Sequence, residues 1–144
     1  MTPKTAPADV MECLQQVFQA EMSGITRYLH YSFMIMGHNR IPIQKWLRAE
    51  AAENMAHAVT IGEKITALGG HPPLTSAGIE ETNVHTVDQI LSESLKHEEH
   101  ALRLYKHLAG IAGDDIALEE LARQFVMQET AHIEEVQKML RRPE

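Results

Sequence analysis

The sequence predicts an all-α protein: a four-helix bundle of two antiparallel hairpins, joined by a long crossover over residues 69–86. Apolar residues recur at helical spacing through four long segments, and no segment alternates as a strand does. Aromatic residues make up only 5% of the chain against 44% hydrophobic residues, so aliphatic and methionine side chains must fill the core. The 144 residues suit one domain. We expect a flexible tail over residues 1–8 and the bundle over residues 9–142.

Glycine and proline mark the ends of the first two predicted helices. Gly37 ends the first helix, because glycine readily adopts the left-handed conformation that caps a helix. Pro42 then suits the first turn of the second helix, where its missing N–H is not needed. Gly69 and Gly70 stop that helix. The short connection after Gly37 implies antiparallel neighbours, whereas the polar stretch after Gly69 is long enough to cross the bundle.

The second hairpin is predicted in the same way. Gly113 breaks the third helix, and Asp114 is the expected N-cap of the fourth, since aspartate accepts hydrogen bonds from the free N–H groups of a first turn. The four predicted helices cover residues 9–36, 42–68, 87–112 and 115–142.

Charged side chains interrupt the apolar stripe of each predicted helix near its middle. Burying carboxylates and imidazoles costs several kcal/mol unless they are paired or bind a metal. Glu129 and His132 are three residues apart and share a helix face with Phe125 and Val136. One Glu from each of two helices, with a Glu and a His from each of the other two, is a ligand pattern for two metal ions inside a bundle. The candidate metal ligands are Glu21, Glu53, His57, Glu98, Glu129 and His132.

The second helix departs from this pattern. Asn54 stands three residues before His57, where the pattern requires Glu. Glu53, four residues before His57, still shares its face, and a π-bulge near Asn54 would improve its direction. Alternatively, Glu50 is the ligand and Glu53 lies behind it. A third possibility is a defective site with one metal.

Composition excludes several other classes of protein. The net charge of −7 argues against a nucleic-acid partner and favours attraction of cations. Cys13 is the only cysteine, so no intrachain disulfide can form, as is typical of the cytoplasm. No stretch reaches the length of a membrane span, and the first residues lack the apolar core of a signal peptide. We therefore expect a cytoplasmic protein with no nucleic-acid or membrane partner.

Three motifs resemble those of bacterioferritins, members of the ferritin-like di-iron carboxylate family. Tyr28 follows Glu21 by seven residues, Met55-Ala-His57-Ala resembles a family motif that carries Glu at position 54, and Glu129-x-x-His132 matches directly. The resemblance implies two iron ions per chain, although Mn or Zn could also occupy the site. It also implies terminal ligands at Glu21 and Glu98, bridges at Glu53 and Glu129, and one imidazole per metal from His57 and His132.

The same resemblance implies a function. We expect a ferroxidase that oxidises Fe(II) with O2 or peroxide and handles or stores iron, with Tyr28 as a nearby phenol. The alternatives are an erythrin-type di-iron oxidoreductase that reduces peroxide, and a non-catalytic dimer that binds metal or haem. Met55 resembles the family's haem ligand, so haem b is a possible second cofactor. Outward methionines, Met22 and Met55 among them, predict a homo-oligomer that is at least a dimer.

Overall fold

A computed structural model describes residues 6–143, and these contain four long helices and no strand. The predicted all-α four-helix bundle is therefore confirmed. Of the expected tail, residues 1–5 lie outside the described residues, and Ala8 already begins the first helix. None of the helices in the described part is long and apolar enough to cross a membrane. The helices are α1 (Ala8–Met34), α2 (Arg40–Ala67), α3 (Val87–Ile111) and α4 (Ile116–Leu140).

The predicted ends of the helices agree with the observed ones to within about two residues, and local chemistry explains them. Gly37 has a φ of +96°, in the left-handed region, as expected for the residue that turns the chain after α1. The prediction of Asp114 as the N-cap of α4 was wrong. Gly113 has a φ of +60°, in the left-handed region, and the turn between α3 and α4 ends one residue later than predicted. Asp115 therefore caps α4, and its carboxylate accepts a 3.0 Å hydrogen bond from the Leu118 N–H.

The core consists of two apolar clusters. The first is centred on Leu14, Ile61 and Leu108. The second contains Tyr28 and Leu47, together with other buried apolar side chains of α1, α2 and α3. The candidate ligands on α1 and α2 stand between the residues of the first cluster and those of the second along each helix. The bundle thus surrounds the candidate site with apolar packing at both ends.

The four helices do not contact one another equally. Helix α1 packs against α2 and α3, and α3 packs against α4. Across the described residues, no Cα atom of α2 lies within 8 Å of one in α4. Side chains of the candidate site bridge these two helices, with His132 of α4 beside Glu50 and Glu53 of α2 and with Glu129 of α4 beside His57 of α2.

The crossover runs along α1. The Ala77 N–H donates to the Gln19 carbonyl at 3.1 Å, and the Gln19 side chain donates to the Thr75 hydroxyl at 3.0 Å. These contacts place residues 75–77 against the outer face of α1, and the crossover leads from there to the start of α3.

Candidate metal centre

Seven acidic and imidazole side chains meet inside the bundle. Six are the main candidates predicted from the sequence, and the seventh is Glu50, which the sequence predicted as the alternative ligand on α2. The three most deeply buried carboxylates are only 2–3% exposed, which is unusual for ionisable groups. The seven residues are Glu21, Glu50, Glu53, His57, Glu98, Glu129 and His132.

One half of the cluster is formed around His57. Its Nδ1 atom lies 3.5 Å from Glu21 Oε1 and 3.7 Å from Glu129 Oε1. The His57 Nδ1 atom and the second oxygens of Glu21 and Glu129 are buried without hydrogen-bond partners. Buried polar atoms are rarely left unpaired, so these three groups have the free lone pairs that a cation would use.

The other half is formed around His132. Its Nδ1 atom lies 3.5 Å from Glu50 Oε2 and 4.0 Å from Glu98 Oε2, and its Nε2 atom lies 2.9 Å from Glu53 Oε2. The His132 Nδ1 atom is also buried without a hydrogen-bond partner. Glu129 can join Glu98 and His132 in a further group of three. Glu129 is therefore within reach of both halves, as a carboxylate shared by two ions must be.

Asn54 takes no part in this cluster. Its amide N–H donates to the Glu50 carbonyl one turn earlier at 2.7 Å, and its Oδ1 atom packs against α1 at Gly24. No π-bulge redirects Glu53, because α2 remains an α-helix through Asn54. Instead, Glu50 and Glu53 both face His132, and Glu53 Oε1 also lies 3.9 Å from His57 Nε2.

Two tyrosines orient Glu98 and Glu21 across the α1–α3 interface. The Tyr28 hydroxyl donates to Glu98, and the Tyr105 hydroxyl donates to Glu21 at 2.6 Å. Each tyrosine follows the glutamate of its own helix by seven residues and binds the glutamate of the other helix. Burial raises the pKa of both phenols well above the usual value, so both remain neutral donors. Sequence reasoning missed Tyr105, although its spacing from Glu98 repeats that of Tyr28 from Glu21.

Like charges and burial strongly perturb the ionisation of the cluster. Burial, together with the neighbouring Glu98, raises the pKa of Glu129 to about 12. Burial opposes ionisation of Glu98 too, but the nearby Glu129 and His132 and the hydrogen bond from Tyr28 outweigh it and lower the pKa of Glu98 to about 2. The two carboxyls therefore hold one proton between them. Burial also raises the pKa of Glu50 to about 7. Perturbation of this kind is typical of functional sites.

Substitutions in α2 can separate the roles of its two carboxylates. We expect Glu53→Gln to weaken binding of Co²⁺ or Zn²⁺ at least about tenfold, because Glu53 is the α2 carboxylate near both imidazoles. Asn54→Ala should leave affinity unchanged, since the Asn54 amide faces α1. Isothermal titration of the metal-free protein measures both effects. A larger loss in Glu50→Gln than in Glu53→Gln would instead identify Glu50 as the ligand.

Comparison with known proteins agrees with this architecture. A bacterioferritin from Desulfovibrio desulfuricans is 25% identical over 130 residues, which are 88% of this chain and 71% of that protein. A structure described as a ferritin-like, diiron-carboxylate protein, from Bacillus anthracis, superposes with a TM-score of 0.87 at 23% identity, over 92% of this chain and 96% of the other. Rhodobacter capsulatus bacterioferritin, solved with a metal-free dinuclear site and haem iron, also gives a TM-score of 0.87 at 23% identity, over 94% and 86% of the two chains.

The family comparison covers nearly the whole bundle. The model of the ferritin-like domain matches residues 11–144, a range that starts in the first turn of α1 and includes α2, α3 and α4. The match therefore takes in every residue of the buried cluster, from Glu21 to His132. The chain belongs to the ferritin family.

Proposed function

We propose that this protein is a di-iron ferroxidase that handles iron, with Fe(II) as its substrate. The observation that carries the proposal is the buried cluster of five carboxylates and two imidazoles, four of whose polar atoms lack hydrogen-bond partners. Carboxylate oxygen suits Fe(III), and imidazole also holds Fe(II), so this set of donors fits both oxidation states. Mn or Zn fits the same donors. The bacterioferritin and diiron-carboxylate descriptions of similar proteins support the choice of iron.

Charge supports the binding of two ions. Two Fe(II) ions bring four positive charges into a cluster whose glutamates can supply up to five negative charges. Without cations the cluster retains protons, as the raised pKa values of Glu129 and Glu50 indicate. Bound metal would replace those protons and remove the repulsion between the buried carboxylates.

Glu53 is the residue that an incoming ion would meet first. Its side chain is 36% exposed, whereas Glu21 and Glu98 are almost fully buried. It stands on α2 opposite α4, where the helix backbones are far apart. The net charge of −7 favours the approach of Fe(II) from solvent.

Tyr28 and Tyr105 hold the Glu98 and Glu21 carboxylates in fixed orientations, which preserves the site between turnovers.

Oxidation of Fe(II) by the metal-free protein tests the proposal. Two Fe(II) ions each lose one electron, and O2 accepts both electrons and two protons to give peroxide. Alternatively, peroxide accepts two electrons and two protons to give two water molecules. In stopped-flow absorbance we expect a fast phase that consumes about two Fe(II) per chain. A rate equal to that of buffer, with either oxidant, would refute ferroxidase activity. Much faster consumption of peroxide than of O2 would favour the erythrin-type alternative.

We also propose that two chains pair through α1 and α2. Met22, Met55 and Val59 are 37%, 60% and 57% exposed and line one apolar groove of about 560 Å³. Exposed apolar surface of this extent usually marks an interface, and a second copy of the same face would cover it. Light scattering should therefore give at least twice the chain mass of 16.2 kDa, and Val59→Asp should lower it. A monomeric wild type at micromolar concentration would contradict this prediction.

Haem binding belongs to the same proposed interface. Met55 lies in the groove with its side chain exposed, so two copies could each offer one thioether to a haem b shared between them. A Soret band in the purified dimer that is lost in Met55→Ala would support haem. A colourless dimer that does not take up added haem would leave Met55 as an interface residue only.

A further inference from the structure

A second group of metal-binding side chains lies outside the buried centre, where the crossover passes α1. It consists of His30 on α1 and of Glu81 and His85 on the crossover. The His30 Nε2 atom lies 2.6 Å from Glu81 Oε2, and the His85 Nε2 atom lies 3.4 Å from Glu81 Oε1. The carboxylate thus presents one oxygen to each imidazole, and the two rings are 5.5 Å apart between their centres.

A local turn brings these crossover residues together. Asn83 has a φ of +57°, a left-handed conformation that asparagine tolerates better than most residues. Its N–H donates to Glu81 Oε1 at 2.7 Å, which fixes the carboxylate within the turn. As a result, Glu81 and His85 both face His30, although Glu81 follows His30 by 51 positions in the sequence.

The two imidazoles have their Nε2 atoms turned inward. The Nε2 atoms of His30 and His85 are both shielded from solvent, and neither makes a well-aligned hydrogen bond. An imidazole placed only to pair with a surface carboxylate would gain more from a straight N–H···O bond or from contact with water. Instead, the Nε2 atoms of both rings face the same carboxylate without forming an aligned hydrogen bond. This is the arrangement expected of ligands to one bound ion.

We propose that His30, Glu81 and His85 bind one divalent transition-metal ion such as Zn²⁺, which ties the crossover to α1. Zn–N and Zn–O bonds of about 2.0–2.2 Å give tetrahedral ligand separations of about 3.4 Å. The 3.4 Å from His85 Nε2 to Glu81 Oε1 already matches, and the 2.6 Å from His30 Nε2 to Glu81 Oε2 is shorter by less than 1 Å, so after a small shift of the His30 ring one ion would lie against both oxygens of the Glu81 carboxylate. Two imidazoles favour Zn²⁺, Co²⁺ or Cu²⁺ over Mg²⁺ and Ca²⁺, which prefer oxygen ligands.

The surroundings suit a three-ligand site with one open position. A cavity of about 150 Å³, which has room for water, adjoins His30 and Glu81 and is also lined by Glu93 and by Arg27, whose guanidinium donates to the Tyr31 hydroxyl at 2.7 Å. The Glu93 carboxylate accepts hydrogen bonds from Tyr31 and from Thr82, both at 3.3 Å, so α3 holds the neighbouring part of the crossover. This site shares no residue with the buried centre and does not depend on the proposed ferroxidase function.

Titration of the metal-free full-length chain with Co²⁺ tests the proposal. To remove the buried centre, the titration is made in the Glu129→Ala/His132→Ala background. We expect one Co²⁺ per chain to remain bound there, with the visible absorption of tetrahedral cobalt. Adding His30→Ala or His85→Ala should abolish that binding. His71→Ala is the matched control, because His71 is an exposed histidine at the start of the same crossover and should leave binding intact.

A structural readout in the wild-type chain makes the test independent of that background. Saturating Zn²⁺ should slow amide hydrogen exchange over residues 79–85 in wild type and in His71→Ala, but not in His85→Ala. Fe(II) oxidation should be unchanged in His85→Ala. The proposal is overturned if no additional ion binds, if His71→Ala loses binding as fully as His85→Ala, or if Zn²⁺ leaves exchange over residues 79–85 unchanged. Any of these outcomes would reduce the cluster to an ion pair between the crossover and α1.

Discussion

Replacing Glu129 by alanine is expected to abolish the fast phase of Fe(II) oxidation. Glu129 lies 3.7 Å from His57 and also groups with Glu98 and His132, so its loss affects both halves of the proposed site. Removal of a carboxylate that serves two metal ions should cost several kcal/mol of transition-state stabilisation, a rate decrease of at least about a hundredfold. Stopped-flow absorbance after mixing Fe(II) with the metal-free protein in air measures the effect.

Stability and a matched control separate chemistry from folding. Glu134→Ala, on the same helix but exposed, should retain the fast phase. Metal-free Glu129→Ala should remain folded but melt at a somewhat lower temperature than wild type, because the change removes a protonated carboxyl that stabilises ionised Glu98 and leaves a cavity in the bundle. A folded Glu129→Ala protein that still oxidises two Fe(II) per chain at the wild-type rate would remove α4 from the proposed ligand set.

Gly24→Ala is expected to destabilise the protein by about 1–3 kcal/mol, because it overpacks the α1–α2 interface. A Cβ atom at this position would lie 1.9 Å from Asn54 Oδ1 and 2.8 Å from His97 Nε2. Neither neighbour can withdraw easily. Asn54 is buried and bonded to the Glu50 carbonyl, and His97 is a buried ring. Thermal or urea unfolding of the metal-free protein measures the change.

The direction of this effect makes it informative. Glycine inside a helix is normally worse than alanine by about 0.5–1 kcal/mol, so a substitution in open space should stabilise. Gly110→Ala is the matched control, because a Cβ atom at Gly110 in α3 would meet nothing within 4 Å. We expect Gly110→Ala to raise the melting temperature and Gly24→Ala to lower it. A stabilised Gly24→Ala protein would show that Asn54 does not pack where the structure places it.

The Gly24→Ala prediction tests the position of Asn54 on α2, the helix for which the sequence was least informative. Asn54 occupies the position at which the family motif has Glu, and helical geometry alone left Glu50 and Glu53 as competing ligands. The structure brings both carboxylates to His132 and turns Asn54 toward Gly24. The same contact explains why Gly24 is buried.

The sequence by itself determined the helices and the residues that can act chemically. Apolar periodicity sets the inward face of each helix, and glycine and proline set the ends, because both depend on residues within one or two turns. The same periodicity placed Glu21, Glu98 and Glu129 on inward faces, and all three are buried. Their convergence follows from burial near the middle of four packed helices.

Only the tertiary structure decided which side chains face each other across helices. The pairing of Tyr28 with Glu98, and of Tyr105 with Glu21, depends on the offset between α1 and α3, which no local pattern encodes. The grouping of His30 with Glu81 likewise depends on the path of the crossover and on the left-handed turn at Asn83. Periodicity fixes directions within a helix, whereas distances between elements depend on packing of the whole chain.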